Sequence, residues 1–445
     1  MISLAPFPGI DEGIRLQGRG DSFLQTRISQ KSLCPICRGT KKLCGKPICP
    51  VTLQYYTFMR LERFQNVENI YGNSPPSIFV GSYNYPKVNI GPMVPPVTGD
   101  TSIYDFPERW LDKSLEEILN FRSSLIHGSF RVDVKRPWDA GRNYDKLVDM
   151  ILSYTPPEVE ASFTKKPRKI ITVSEDITLF GPTAPLKSMR IGSLKTDFKV
   201  EKYYYDTDIK ASEAVIELYR EGVPISKIQR VFSAAVLGLK KLRRVVPTRW
   251  SITAVDDIVS LHLLEKVKRN PWIDSFLVYH HKVFDNIYVV LLIPSNWSYE
   301  WLEAWFPKTF WNRFSKEPVI YADHEHYRGR TTYSDVGGCY YSTRLAVAEK
   351  LHGMGRQGAA IVFREVHEGY LFPLGVWNVR EGVRATLSKP PERFDTLEEA
   401  LQYAVSKLTI PLRDWVQASS YLHELLRQRR ITDYVPLTRY PDDQV

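Results

Sequence analysis

The sequence predicts an α+β protein: a mixed core with a small four-cysteine zinc module at its N-terminal end and a short peptide tail at its C-terminal end. Three observations carry this. Long β-prone runs, Ile273 to Val283 and Asn286 to Ile293, stand beside apolar residues recurring at helical spacing, as from Ile225 to Leu242. Strands and helices do not alternate with the regularity of a doubly wound sheet, and the sequence has no repeat of fixed period. Four of the five cysteines crowd between Cys34 and Cys49.

The chain has 445 residues, 43% hydrophobic and 25% charged, enough to bury a core without disulfides and to make two or three folding units. We expect an N-terminal segment over 1–50, a core over 51–412 with a division into subdomains near 200–245 left open, and a terminal helix and peptide over 413–445. The net charge of +10 makes a polyanion a reasonable partner, although many basic proteins bind no nucleic acid. No apolar run approaches the roughly 18–20 residues of a membrane span. The start, MISLAPFPGIDEG, lacks the basic and apolar regions of a secretory signal, so a cytoplasmic protein is expected.

Taken in order, the elements begin with two short extended runs, Ile78 to Gly81 and Lys87 to Gly91, set between prolines and glycines that forbid helix. Helices are predicted over Asp105–Leu125 and Tyr144–Tyr154, and strands over Val159–Phe163 and Lys169–Val173. Pro224 opens a helix carrying Ile225, Ile228, Phe232, Ala235, Val236, Leu239 and Leu242, whose C-terminal end would bear Lys240, Lys241, Arg243 and Arg244. A helix over Val255–Lys268 follows, then the two β-prone runs, joined as a hairpin by the turn-like Phe284-Asp285-Asn286. A strand Val319–Tyr321, a helix Tyr341–Met354, a strand Ala359–Val366 and helices near 396–408 and 414–428 complete the reading.

In CPICRGTKKLCGKPICP, Cys34 and Cys37 are two residues apart, Cys44 follows after six more and Cys49 after four. Four thiolates so spaced can converge on one tetrahedral ion, and Gly39 and Gly45 relieve the backbone as it folds back. Zinc is the first expectation; an iron–sulfur cluster uses the same ligands and stays open. Such a closed site holds a loop together and leaves no coordination position for chemistry. Lys41, Lys42 and Lys46 read equally as phosphate contacts or as the solvated face of the module, and Cys339, standing alone, reads as a buried small residue.

Near the C-terminus, QRRITDYV places Gln428, Ile431 and Tyr434 three residues apart. In a single 3₁₀ turn such residues eclipse, so Ile431 and Tyr434 would form an apolar plug beside Gln428, which is how sliding-clamp-binding peptides are built. Val435 stands where such peptides carry a second aromatic, which reduces the buried area. The competing reading is a helix end packed on the core.

Together CPICRGTKKLCGKPICP, SPPSIFVGSYNYPKVNIGPMVPP, VPTRWSITAVDD at 246–257, RGRTTYSDVGGCYYSTRLAVAEKL at 328–351 and the terminal peptide resemble the Nre family of archaeal DNA repair proteins, from Cys34 to Val435. The resemblance implies repair of DNA lesions, the archaeal sliding clamp PCNA as partner, and action alongside excision-repair proteins. It transfers no catalytic residue.

Candidate working residues follow. Arg249, with Lys240, Lys241, Arg243 and Arg244, would contact phosphate while Trp250 stacks on a base; a capped, buried loop is the alternative. Asp323 and Glu325, on one side of a strand with His324, His326 and Arg328 nearby, or Asp256 and Asp257 at a helix start, could hold Mg²⁺ or Mn²⁺ in a nuclease acting on DNA; a polar strand end is the plainer meaning. Lys87, between Gly81 and Gly91, would lie on a loop close to a ligand, or in a rigid connector. Three functions remain in view: a DNA-binding repair factor recruited by the clamp, a metal-dependent nuclease, and a repair adaptor that binds no DNA.

Overall fold

The computed structural model describes Gly45 and residues 68–167, 180–309, 311–312, 315–371 and 373–427. The four clustered cysteines, the peptide from Gln428 to Val435 and the strand expected from Lys169 to Val173 lie outside the described residues. What is described is α+β, built on two six-stranded mixed sheets.

The first sheet contains β1 (Asn69–Asn73), β2 (Ile78–Val80), β3 (Lys87–Val94), β4 (Ile126–Asp133), β5 (Glu158–Phe163) and β6 (Thr183–Ile191) in the order β1-β5-β6-β4-β3-β2. Only the β4–β6 pair is parallel. Its strands alternate: Val88, Ile90, Val132, Val159 and Ala161 are buried, while Lys87, Asn89, Arg131 and Glu158 are exposed. One face packs on helices and the other meets solvent. Two helices belong to this part, α1 (Leu115–Ser123) and α2 (Arg142–Leu152).

Helices α3 (Phe198–Tyr205), α4 (Ala211–Arg220), α5 (Ile225–Ser233) and α6 (Thr248–Val267) come next. They precede a second sheet of β7 (Phe276–Val283), β8 (Asn286–Ile293), β9 (Tyr299–Trp305), β10 (Val319–Glu325), β11 (Ala359–Val366) and β12 (Glu392–Phe394), ordered β10-β9-β11-β8-β7-β12. The β7–β8 hairpin turns on Phe284 (φ 49°) and Asp285 (φ 57°), the paired left-handed residues of a type I′ turn. Helices α7 (Gly338–Met354), α8 (Trp377–Leu387), α9 (Leu397–Ser406), α10 (Leu412–Ala418) and α11 (Ser420–Arg427) complete the described chain.

This sheet is covered on both faces: β8 reads as a nearly continuous apolar run, while β9 and β11 are buried along their whole length and carry their charges inside, where Arg364 pairs with Glu303 at 2.6 Å. Val290, Leu292 and Val362 join Val255, Val259 and Val347 on one side, in a cluster that also takes in Val88 and Ile90 of the first sheet. Val289, Leu291 and Phe363 meet Leu401, Trp415 and Leu422 on the other.

Several expectations need correcting. The helix expected from Asp105 starts only at Leu115, where Ser114 and Glu117 form a reciprocal capping box; Pro107 upstream sits in a 3₁₀ turn. The helix opened by Pro224 stops at Ser233, because Ala235 is left-handed (φ 62°) and the Ser233 hydroxyl turns to the Val246 carbonyl; Lys240–Leu242 form a separate 3₁₀ turn. The helix expected from Val255 begins at Thr248, so Asp256 and Asp257 lie in its interior and Arg249 and Trp250 in its first turn. The segment 414–428 divides at Ser419 into α10 and α11.

Candidate nucleic-acid interface

The β2–β3 connection closes with Gly81 N–H donating to Asn89 O (2.9 Å) and Lys87 N–H to Asn84 O (2.9 Å); Asn84 takes the left-handed conformation (φ 63°) that asparagine tolerates. The β3–β4 ladder places Lys87 opposite Asp133 and Asn89 opposite Arg131. Beyond it, Asp133 accepts from Lys135 N–H (2.9 Å), an Asx turn that sends Lys135 and Arg136 outward. Val245 N–H donates to Val134 O (2.9 Å), bringing the Arg243–Arg244 segment alongside. Thr248 Oγ1 accepts from Val80 N–H (2.9 Å), and Trp250 packs on Tyr85 with ring centroids 5.1 Å apart. Segments distant in sequence thus form one rim.

Lys87, Lys240 and Lys241 are exposed, and the structure adds exposed Arg131, Lys135 and Arg136. Two aromatic rings stand out among them, Tyr83 at 84% and Trp138 at 50% exposure. Arg243 is occupied structurally, donating to the carbonyls of Gly238 (2.8 Å), Asp206 (3.0 Å) and Tyr203 (3.3 Å); Arg244 and Arg249 are half-buried. Trp250, the residue expected to stack on a base, is half-buried against Tyr85. The signal for the added residues was present in FRVDVKRPW, a dense basic run ending in tryptophan.

The acidic candidates have a different setting. Asp256 is fully buried and accepts from Arg380 Nη1 at 2.9 Å to each oxygen and from Gln229 Nε2 at 3.0 Å. Burial pushes its carboxyl up to about 6 even with Arg380 beside it. Asp257 and Glu325 meet on one guanidinium: Arg344 donates to Asp257 and, at 2.8 Å, to Glu325, which also accepts from Trp297 Nε1 (3.0 Å). Burial raises the Asp257 carboxyl. Asp323 accepts from Arg330 (2.6 Å), Ser334 (2.7 Å) and Asp335 N–H (2.9 Å); burial works against its charge, yet the Arg330 and Ser334 hydrogen bonds hold it below its ordinary value.

These carboxylates act as struts between α6, α7, α8 and β10. An ion drawing on them would have to displace buried guanidinium groups. Among the described residues, no group of three or more His, Cys, Asp and Glu side chains is placed to hold a metal. Cys339 is buried, as a small apolar residue would be.

Sequence reasoning missed one further cluster. Asp105 bridges Arg122 and Arg230, the latter at 2.7 Å, at the wall of a cavity that Thr248 and Phe79 also line. Burial opposes the Asp105 charge, but the two guanidiniums hold its carboxyl below the ordinary range. No sequence motif marks this trio, since its members come from three separate elements.

Among the described residues no helix is long and apolar enough to cross a membrane. The family pattern for the archaeal Nre N-terminal region matches residues 43–312, and that for the archaeal Nre C-terminal region matches 325–434. The DNA repair protein NreB of Archaeoglobus fulgidus is 44% identical over 403 residues, 90% of this chain and 100% of that protein. The DNA repair protein NreA of the same organism is 38% identical over 372 residues, 83% of this chain and 92% of the relative. NreA of Haloferax volcanii, also a DNA repair protein by name, is 33% identical over 368 residues, 80% of this chain and 87% of the relative. No solved structure matches the chain. With both regional patterns in order and these relatives aligned over most of its length, the chain belongs to the archaeal Nre family.

Proposed function

We propose that this protein acts in DNA repair, binding DNA along the rim formed by Lys87, Arg131, Lys135 and Arg136 and reaching its sites of action through the sliding clamp PCNA. The observation that carries the DNA-binding part is the rim itself, where exposed cations from β3, β4 and the segment after β4 gather beside exposed rings. Cations at this density suit a phosphate backbone, and rings suit bases. The repair part is supported by the names of the relatives, each a DNA repair protein.

Recruitment is assigned to Gln428, Ile431, Tyr434 and Val435, with Ile431 and Tyr434 as the apolar plug. Zinc held by Cys34, Cys37, Cys44 and Cys49 would serve structure. The protein would then work beside excision-repair proteins as a factor delivered to lesions.

The test is a titration of the purified chain with its cognate clamp and with DNA in the presence of Mg²⁺. An Ile431→Ala, Tyr434→Ala double variant should lose the clamp and keep DNA; a Lys135→Ala, Arg136→Ala variant should do the reverse. Clamp binding without any salt-dependent DNA affinity would replace this reading with the adaptor. Mg²⁺-dependent cleavage that vanishes on replacing one of the acidic candidates would replace it with the nuclease.

A further inference from the structure

We infer that the rim selects single-stranded DNA, by stacking unpaired bases on Tyr83 and Trp138 while Lys87, Arg131, Lys135 and Arg136 hold the phosphates. This rests on the rim being the DNA-binding surface proposed above. The inference begins from two side chains whose exposure the fold does not require. Tyr83 is 84% exposed at the tip of the β2–β3 connection, and Trp138 is 50% exposed just past β4. Burying large aromatic rings is a main source of folding free energy, so rings left in water among cations offer that surface to something else.

The backbone holds both near the same end of the sheet. Lys87 pairs with Asp133 at the end of the β3–β4 ladder, and Val134 N–H donates to Pro86 O (3.0 Å), so the connection bearing Tyr83 and the turn leading to Trp138 leave the sheet together. Neither is a floppy mount. Tyr85, two residues past Tyr83, is packed on Trp250, and Trp138 lies in a 3₁₀ turn begun by buried Pro137.

Charge is arranged to match. Lys87 and Arg131 project from the solvent face of β3 and β4, and Lys135 and Arg136 continue the line toward Trp138. Of the nearby acids, Asp133 is turned to the backbone of Lys135, and Asp139 lies 3.5 Å from Arg136. A cationic track flanked by ring faces suits a strand whose bases are free to turn outward; in a duplex those faces are already stacked on each other.

The experiment compares a fluorescein-labelled oligothymidine of about 16 nucleotides with a duplex of the same length, at several salt concentrations. Wild type should bind the single strand more tightly. Tyr83→Ala and Trp138→Ala should each weaken single-strand binding by roughly tenfold with little change for the duplex. Tyr83→Phe and Trp138→Phe should restore most of it, which a structural role for the hydroxyl or indole N–H would not. Lys135→Ala with Arg136→Ala should weaken both probes and flatten the salt dependence. Equal binding of both probes, or alanine variants matching wild type on the single strand, overturns the inference while leaving DNA binding in place. If wild type binds neither probe, the DNA-binding reading fails and this inference with it.

Discussion

Arg380 addresses Asp256 with one terminal nitrogen, 2.9 Å from each carboxylate oxygen, and solvent reaches neither side chain. The pair joins the middle of α6 to α8 across the core, and Gln229 on α5 completes it. Replacing Asp256 with Asn removes the carboxylate on the terminal nitrogen and leaves the buried guanidinium only Glu381, 3.2 Å from its Nε, as counter-ion, at a cost of up to about 3–5 kcal/mol. Urea denaturation should show this directly. A stable, inactive Asp256→Asn protein would instead give this carboxylate a chemical role.

Glu300 on β9 holds the start of α11, the last helix among the described residues, accepting from the Ser419 hydroxyl and from Tyr421 N–H (3.3 Å). Burial pushes its carboxyl from 4.5 up to about 7. Because the folded value lies above the unfolded one, its contribution is complete below 4.5 and is lost as pH rises through about 7. Thermal melts of Glu300→Gln across that window should show a flatter pH dependence than wild type.

Lys227 has the opposite sign. Its ammonium is buried against the carbonyls of Ile151 (2.5 Å) and Ser153 (2.7 Å) at the end of α2, and burial lowers it from 10.5 to about 7. A depressed lysine contributes stability present above 10.5 and lost as pH falls through about 7. Lys227→Met should remove that slope and leave two buried carbonyls unpaired, costing about 1–3 kcal/mol each. Denaturation at several pH values separates the two effects.

Trp250 supports the rim from beneath. Trp250→Ala should cost roughly 2 kcal/mol, less than a fully buried tryptophan, and should weaken DNA binding by loosening the connection that carries Tyr83. Limited proteolysis near Tyr83 would report the loosening; unchanged cleavage together with lost affinity would mean that Trp250 touches DNA itself.

Zinc at Cys34, Cys37, Cys44 and Cys49 predicts about one zinc per chain by elemental analysis. Replacing Cys37 with Ser should release it. Iron with visible absorbance would assign an iron–sulfur cluster instead.

The fold class and four strands of the second sheet, β7, β8, β10 and β11, were legible because their signals are local, whereas β9 and β12 were missed, β9 because Glu300 and Glu303 interrupt its apolar residues. The strand Ala359–Val366 and the turn at Phe284–Asp285 stand out in the sequence, since both depend on contiguous residues. Helix ends were less legible: nothing adjacent announces that Ser233 will bond to Val246 and end a helix whose apolar spacing runs on. Helix α8 was missed because Arg380, Glu381 and Arg384 mimic a solvent face, and only their partners Asp256 and Glu349 on other elements reveal them as interior. The rim was half legible. Lys87, Lys240 and Lys241 were identified as basic candidates, but which ring lies open and which is covered depends on Tyr85 meeting Trp250, a contact between remote segments.

The place of β11 bears on how the protein can be made. This strand lies between β8 and β9, parallel to β9 and antiparallel to β8, so two strands that precede it by many residues have no neighbour on those sides until it arrives. On a ribosome, the N-terminal region would emerge with two bare apolar strand edges, the state most open to mispairing with other nascent chains. For the same reason, a gene cut between the stretches 43–312 and 325–434 should yield an insoluble first product, and co-expressing the second piece should rescue it by filling the gap.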